Sequence, residues 1–330
     1  MRLAALVESA DHVCARYRLR AFEPVLRAAG HRLELHAIPR RLWGRLSVIR
    51  QLHDADVVIL QRKLFSKVEV GFMRQRLRRI WFDFDDAVWM RDSYSNKGFE
   101  SLKRQRRFQA IMRASDIVIA GNDYLAESAR KFGAKQAVMI PTCVDVDRYS
   151  IAKHAGPRID LVWIGSSSTL QGIESATSIL SWIGRSVPGV RLKLICDRFV
   201  HPPGIDVIET QWAESTEANE IATADIGVSW IPDDPWSSGK CGLKVLQYMA
   251  AGLPVVTNPV GVHPEMVRDG ETGFLVQSAY EWVEAIRKLA TDPDLRRRMG
   301  AAGRKVVEER YSVEAGAKKW LELINSQNAA

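Results

Sequence analysis

The chain is poor in cysteine, in long apolar runs and, over its first half, in negative charge, and each shortage excludes something. Only four cysteines occur in 330 residues, Cys14, Cys143, Cys196 and Cys241, far apart and without paired spacing. That argues against a disulfide framework or a zinc cluster and suits a reducing compartment. The first apolar stretch, residues 3–7, stops at Glu8 and reads as a strand, not a secretory leader. One uncharged run, residues 245–264, reaches membrane length, but it holds Gln247, Asn258 and the prolines Pro254, Pro259 and Pro264. We read it as helix, turn and strand instead of a membrane span. No short-period repeat or low-complexity tract is visible. Hydrophobic residues at 46% and charged residues at 26% exclude a disordered or collagen-like chain. The expectation is a soluble, cytoplasmic protein of roughly two domains of about 150 residues each.

Charge is unevenly spread. Residues 1–150 hold 28 Lys+Arg against 17 Asp+Glu, whereas the whole chain has 47 against 39, so the second half is slightly acidic. A basic first half points to an acidic partner: a phosphorylated acceptor, an anionic membrane surface or nucleic acid. The densest clusters are Arg74, Arg76, Arg78 and Arg79, then Lys103, Arg104, Arg106 and Arg107. Few aromatics interleave with them and no reader motif accompanies them, which disfavours nucleic acid.

Apolar, β-branched runs alternate with helical stretches. Strands are expected at 3–7, 56–60, 80–82, 116–120 and 137–140, and in a second series at 159–164, 191–195, 206–208, 225–231 and 255–257. Helices are expected at 21–29, 124–132 and 312–324, the last capped by Ser312. Residues 150–158, with Lys153, His154, Gly156 and Pro157, read as a linker. The alternation predicts an α/β fold: two doubly wound Rossmann-like domains facing a cleft. We set the domains at 1–153 and 154–311, with the helix from 312 to 330 packing back on the first.

The stretch most informative for chemistry runs through Gly239-Lys240-Cys241-Gly242-Leu243-Lys244 to Gln247-Tyr248-Met249-Ala250-Ala251-Gly252. It reads as a polar loop, a helix over 242–251, a turn and a buried strand. A helix N-terminus offers free N–H groups and partial positive charge to an anion. Lys240 and Lys244 add positive charge where it opposes the helix dipole, which points to a bound anion such as a diphosphate.

This stretch resembles the retaining glycosyltransferases of family 4, which have the GT-B fold. The resemblance extends to Ala114-Ser115-Asp116-Ile117-Val118, Ile140-Pro141-Thr142-Cys143-Val144-Asp145, Trp163-Ile164-Gly165-Ser166, Gly261-Val262-His263-Pro264-Glu265 and Asp269-Gly270-Glu271-Thr272-Gly273. It implies a second domain that holds a nucleotide-diphosphate sugar and a first domain that holds the acceptor. The implied donor-binding residues are Gly165, Ser166, Ser167, Gly239, Gly242, Leu243, Gln247, Gly261, Val262, His263 and Glu265.

The chain departs from the family pattern in informative ways. Gly239 and Gln247 stand where the motif has two glutamates, one beside the donor sugar and one on the ribose. Gln247 can still hydrogen-bond ribose hydroxyls through its amide, whereas Gly239 cannot replace a carboxylate. The glycine-rich turn common after the first strand is missing. So is the basic pair beside Gly165, leaving the hydroxyls of residues 166–169 and the turn N–H groups to share the phosphate role. The main positive charge therefore falls to Lys240 and Lys244.

Asp83-Phe84-Asp85-Asp86 follows the strand at 80–82. An Asp-x-Asp there resembles the metal-binding motif of a different glycosyltransferase fold. We reject that role, because lysines and a helix end already serve the diphosphate. Asp85 and Asp86 are candidates to hydrogen-bond sugar or acceptor hydroxyls or to act as general base. A helix cap or an ion pair to Arg91 is the structural alternative. His12, Arg16, Arg18 and Asn122 are candidates for the acceptor side, with Arg16 and Arg18 reaching toward phosphate or acceptor.

The resulting expectation is a metal-independent retaining glycosyltransferase with catalytic Asp85, Asp86, Lys240 and Lys244, no cofactor and no metal. It would move a sugar from a nucleotide-diphosphate sugar to a hydroxyl of an envelope glycan, lipid-linked or other acceptor. The basic half would lie on the inner membrane face. A non-catalytic donor-binding scaffold and a basic nucleic-acid-binding protein are the alternatives.

Overall fold

In a computed structural model that describes residues 1–154 and 158–328, two six-stranded sheets carry the chain, every strand pair parallel. Gly156 and Pro157 of the expected linker, and the last two residues of the expected C-terminal helix, lie outside the described residues. The first sheet contains β1 (Arg2–Val7), β2 (Arg32–Ala37), β3 (Val57–Gln61), β4 (Ile80–Phe84), β5 (Ile117–Ala120) and β6 (Ala137–Met139), in the order β2-β1-β3-β4-β5-β6. The second contains β7 (Ile159–Ile164), β8 (Val190–Cys196), β9 (Asp206–Gln211), β10 (Ile226–Ser229), β11 (Val255–Thr257) and β12 (Gly273–Leu275), in the order β12-β11-β10-β7-β8-β9. Both are doubly wound, the second with the 3-2-1-4-5-6 order of dinucleotide-binding folds.

Strands buried on both faces explain the continuous apolar runs. In the first unit β3 and β4 are buried throughout. Period-2 alternation sends Ile80, Phe82 and Phe84 into a cluster with Met73, Trp89 and Phe108, and Trp81 into the opposite one with Phe22, Leu26 and Trp320. Trp320 belongs to the C-terminal helix Val313–Asn328 and stacks on Trp81 with ring centroids 6.5 Å apart. In the second unit Tyr248 lies flat on β10. A Cβ at Gly227 would come within 2.4 Å of its ring, and its hydroxyl accepts from the Ile164 N–H at 3.0 Å.

The chain passes between the two compact units four times. The first consists of Met1–Cys143, Asp234–Cys241 and the C-terminal segment from Val313; the second of Val144–Asp233 and Gly242–Ser312. Residues 144–153 thus belong with the second unit, ten residues earlier than the sequence suggests. The Ala152 N–H donates to Ala251 O at 2.9 Å, and Arg304 Nη1 donates to Tyr149 O and Ala250 O at 2.8 and 2.6 Å. Two strands go beyond the sequence reading. β2 alternates apolar with charged residues (RLELHA) at a sheet edge, and β12 has only three residues. No helix among the described residues is long and apolar enough to cross a membrane.

Candidate functional site

Ligands of doubly wound sheets bind beyond the carboxyl ends of the strands, and the first unit gathers a charged cluster there. Asp85 and Asp86 directly follow β4, and Arg62 directly follows β3. Arg62 sits at φ 56°, a left-handed conformation rare for a side-chain-bearing residue. Its N–H donates to Asp83 O at 2.9 Å. Its guanidinium reaches both carboxylates, with Nη2 at 2.5 Å from Asp86 Oδ2 and Nε at 3.4 Å from Asp85 Oδ1. Asp86 also accepts from Lys240 Nζ at 3.0 Å. Burial opposes charge on Asp85, but Arg62 and then Arg18 outweigh it and hold this carboxyl below its ordinary range. Burial, reinforced by Asp85, pushes the neighbouring Cys14 thiol well up, so it stays protonated. The partners of these aspartates are therefore Arg62 and Lys240, while Arg91 instead donates to the Lys97, Gly98 and Glu100 carbonyls.

Of the basic residues expected to reach a ligand, Arg18 does not. It is 1% exposed, donates from Nε to Asp83 Oδ1 at 3.1 Å and from Nη1 to Ile140 O at 2.6 Å. Gln61 Nε2 completes the set on Asp83 at 3.3 Å. Alternation along β4 places Asp83 inward, on the same face as Trp81, where only a buried partner satisfies it. Arg16 is buried, with its guanidinium over the Tyr17 ring at 5.2 Å. His12 is the N-cap of the helix Val13–Arg18, accepting from the Cys14 N–H at 3.3 Å. Asn122 is likewise a structural residue. Its Oδ1 caps the helix Asp123–Lys131 at Leu125 N, and its Nδ2 donates to Ser238 O at 3.2 Å and Lys240 O at 3.0 Å. That clamp explains why 234–241 belongs to the first unit.

Within this loop Gly239 has no room for the motif carboxylate. A Cβ there would lie 2.8 Å from Ala87 N and 2.9 Å from Ala87 Cβ. Lys240 follows, with Nζ 3.7 Å above the Trp236 ring as well as on Asp86. Gly121 permits the next contact, since a Cβ would stand 2.4 Å from Cys241 Sγ. Gly242 then adopts φ 65° and opens the helix Leu243–Ala250 without any side-chain cap. Met266 Sδ lies 2.5 Å from its Cβ position, and the positive φ is what favours glycine at this turn. Lys240 and Lys244 consequently fall in different units, although four residues apart.

In the second unit the helix Leu243–Ala250 runs into β11, which puts its N-terminus at the carboxyl edge of the sheet. Lys244, in the first turn, holds Nζ 5.0 Å from the Trp163 ring. His263 is buried, with Nδ1 2.7 Å from Thr257 Oγ1 and 3.0 Å from Asn258 O. Burial, helped by Lys244, brings its pKa down to about 4, against a weaker opposing effect of the Asn258 carbonyl. The imidazole is neutral at pH 7, so Lys244 supplies the local charge. Gly261 at φ 58° and Val262 make the turn before the helix His263–Met266, on which Glu265 is exposed.

After β7, a Cβ on Gly165 would meet Trp163 Cζ2 at 2.8 Å and Thr169 Oγ1 at 2.7 Å. The hydroxyls beyond it are engaged locally: Ser166 Oγ with Ser168 Oγ at 2.8 Å, and Ser167 Oγ on Asp197 Oδ2 at 2.8 Å. Asp197 also accepts from the Ser167 N–H at 2.6 Å. Gln247 is 3% exposed and donates from Nε2 to the Tyr149 hydroxyl at 3.2 Å. Among the described residues no three His, Cys, Asp or Glu side chains are grouped to hold a metal ion. Sequence reasoning overlooks Arg62 and Asp197. Each directly follows a strand, β3 or β8, and that position is the signal that finds both.

The profile of the family described as glycosyl transferases group 1 matches residues 235–306. A GDP-mannose-dependent alpha-(1-6)-phosphatidylinositol monomannoside mannosyltransferase of Mycobacterium tuberculosis is 33% identical over 243 residues, 66% of this chain and 63% of that protein. The chain spans a smaller share, 16–25%, of several other curated relatives it matches. Sucrose-phosphate synthase of Thermosynechococcus elongatus shares the fold at a TM-score of 0.78 and 18% identity, over 100% of this chain and 99% of that one. Anabaena HepE, solved with UDP and glucose, does so at 0.70 and 14%, over 99% and 100%. The chain thus carries the group 1 glycosyl transferase segment, at residues 235–306, on the fold of the GT-B glycosyltransferases.

Proposed function

We propose that the protein is a retaining glycosyltransferase of family 4 that uses a nucleotide-diphosphate sugar. The observation that carries this reading is the uncapped N-terminus of the helix Leu243–Ala250, inside the matched segment, with Lys244 in its first turn beside a neutral His263. When the bond from the sugar C1 to the diphosphate breaks, negative charge develops on the leaving phosphate. The helix N–H groups and Lys244 stabilise it there without a metal. Lys240, which holds Asp86 through Nζ, is the second cation, with further N–H donors on its ammonium. The acceptor oxygen attacks the same face of the sugar, and its proton leaves on the departing diphosphate. Asp85, kept ionised by Arg62 and Arg18, suits a hydrogen-bond acceptor for sugar or acceptor hydroxyls better than a general base.

For the acceptor we propose a lipid-linked or envelope glycan hydroxyl at the inner membrane face, with no role for nucleic acid. The basic first half and the phosphatidylinositol-bearing acceptor in the name of the mycobacterial relative support that choice. A non-catalytic donor-binding scaffold has two observations in its favour: Gly239 is sterically closed and Gln247 donates to Tyr149.

Titration calorimetry with UDP and GDP tests the donor site. A charge-assisted hydrogen bond to phosphate is worth about 1.5–3 kcal/mol, so Lys244→Ala should lose roughly tenfold or more in affinity. EDTA should leave binding and transfer intact. Unchanged affinity in Lys244→Ala, or loss of activity in EDTA with rescue by Mn²⁺, overturns the reading. Tight binding without turnover of any donor sugar selects the scaffold.

A further inference from the structure

The cations of the first unit are not alike. Arg2, Arg45, Arg62 and Arg74 each sit on a carboxylate. Lys67, Lys103 and Arg106 have no ion-pair partner among the described residues, and Arg107 donates only to Leu64 O, at 3.3 Å. Lys103, Arg106 and Arg107 stand at i, i+3 and i+4, on one side of the opening turns of the helix Leu102–Ala114, whose first turn holds no acidic residue. Like charges at that spacing repel each other and oppose the helix dipole. Together with Ser66 and Lys67, which begin the adjacent helix Lys67–Arg76, they line an open cavity of about 440 Å³. An external anion seated among these cations would relieve this arrangement.

A second observation says what carries the anion. Next to Lys67 and Lys103 in the chain, Val68 and Leu102 are 77% and 67% exposed. Trp43, 77% exposed, lies on the helix Leu42–Gln51, which Arg45 ties to Glu69 of the neighbouring helix at 2.5 Å. Apolar tips standing out among cations match an interface with headgroups above and hydrocarbon below, not water alone. The helices Leu42–Gln51 and Lys67–Arg76 start just beyond the carboxyl ends of β2 and β3, and Leu102–Ala114 follows β4 after the segment 85–101; the same edge carries Arg62, Asp85 and Asp86.

We infer that this rim docks on an anionic phospholipid surface. The cavity of Lys67, Lys103, Arg106 and Arg107 takes a headgroup phosphate, and Trp43, Val68 and Leu102 enter the acyl boundary. The inference deepens the proposed function and rests on it for the acceptor's location. Docking here presents the carboxyl edge of the first sheet, with Asp85 and Asp86, to hydroxyls carried at the membrane surface.

Co-sedimentation of the full chain with vesicles of phosphatidylglycerol in phosphatidylcholine tests it, with UDP and GDP titrations run on the same samples. The wild type should bind these vesicles and not pure phosphatidylcholine. Each near-surface cation is worth about fivefold, so the triple variant Lys103→Ala, Arg106→Ala, Arg107→Ala should bind about a hundredfold more weakly. Val68→Ser with Leu102→Ser should weaken binding at unchanged charge. Nucleotide affinity should not move in either variant. Wild type that binds nucleotide but no vesicle overturns the inference and leaves the donor reading standing; vesicle binding without nucleotide binding does the opposite. Vesicle binding that survives the triple substitution also overturns it. So does wild type that binds inorganic phosphate or single-stranded RNA through these cations but no vesicle.

Discussion

Arg18→Met separates a structural arginine from a ligand-binding one. Arg18 and Asp83 are 1% and 0% exposed, and the guanidinium grips the carboxylate through Nε and Nη2. Methionine keeps the length and apolar bulk but leaves Asp83 buried with only Gln61 Nε2, at 3.3 Å. Breaking one side of a buried ion pair costs about 3–5 kcal/mol, and the Ile140 carbonyl loses its donor for about 1 kcal/mol more. In a unit of this size each kcal/mol moves Tm by about 2–4 °C, so a drop of roughly 10 °C is expected. Burial pushes Asp83 up, and without the guanidinium it takes a proton. The deficit should therefore shrink as the pH is lowered toward 5, because protonation removes the unpaired charge. Arg18→Met with Asp83→Leu should recover most of the loss, since an apolar pair replaces an ionic one at little net cost. Calorimetry, with UDP and GDP titrations on the same variants, reads all of this. A Tm within about 2 °C of wild type, combined with a tenfold loss in nucleotide affinity, would refute the structural assignment and return Arg18 to the ligand.

Gly239→Ala should lose about 1–3 kcal/mol by overpacking against Ala87, and restoring the motif with Gly239→Glu should cost more; urea unfolding that places either variant at wild-type stability refutes the packing argument. Asn122→Ala removes a helix cap and the clamp on residues 238–240, for about 2–3 kcal/mol in total; hydrogen exchange should speed up across 234–241 and stay slow in the Tyr248 region. His263 is neutral when folded down to about pH 4 but takes a proton near pH 6.5 when unfolded. The unfolded state therefore binds more protons across that window, and wild type should lose about 3 kcal/mol between pH 6.5 and 4. His263→Gln should flatten that slope, and a wild-type profile already flat there would show the imidazole to be charged.

Much of the architecture is legible in the chain because apolar runs report directly on two-sided burial. β7 and β11 coincide with the runs at 159–164 and 255–257, and the other central strands agree within one to three residues at their ends. The helix Leu243–Ala250 and its uncapped start are legible too, since glycine precedes an apolar 3.6-residue pattern. β2 is not, because an edge strand half-open to water keeps charged residues at alternate positions. β12 is too short for any pattern.

Charge is where the sequence stops. It shows that Arg18, Arg62, Lys240 and Lys244 are cations beside strand ends or a helix start. It does not show that Arg18 meets Asp83 65 positions away, that Arg62 and Lys240 share Asp86, or that Lys244 rests against Trp163. Nor does the four-residue spacing of Lys240 and Lys244 show that the chain changes unit between them, at a glycine with positive φ. The type of charge is a local property of the residue. Its partner, its burial and hence its freedom to meet a ligand depend on contacts between segments distant in sequence, and only the packed sheet brings those segments together.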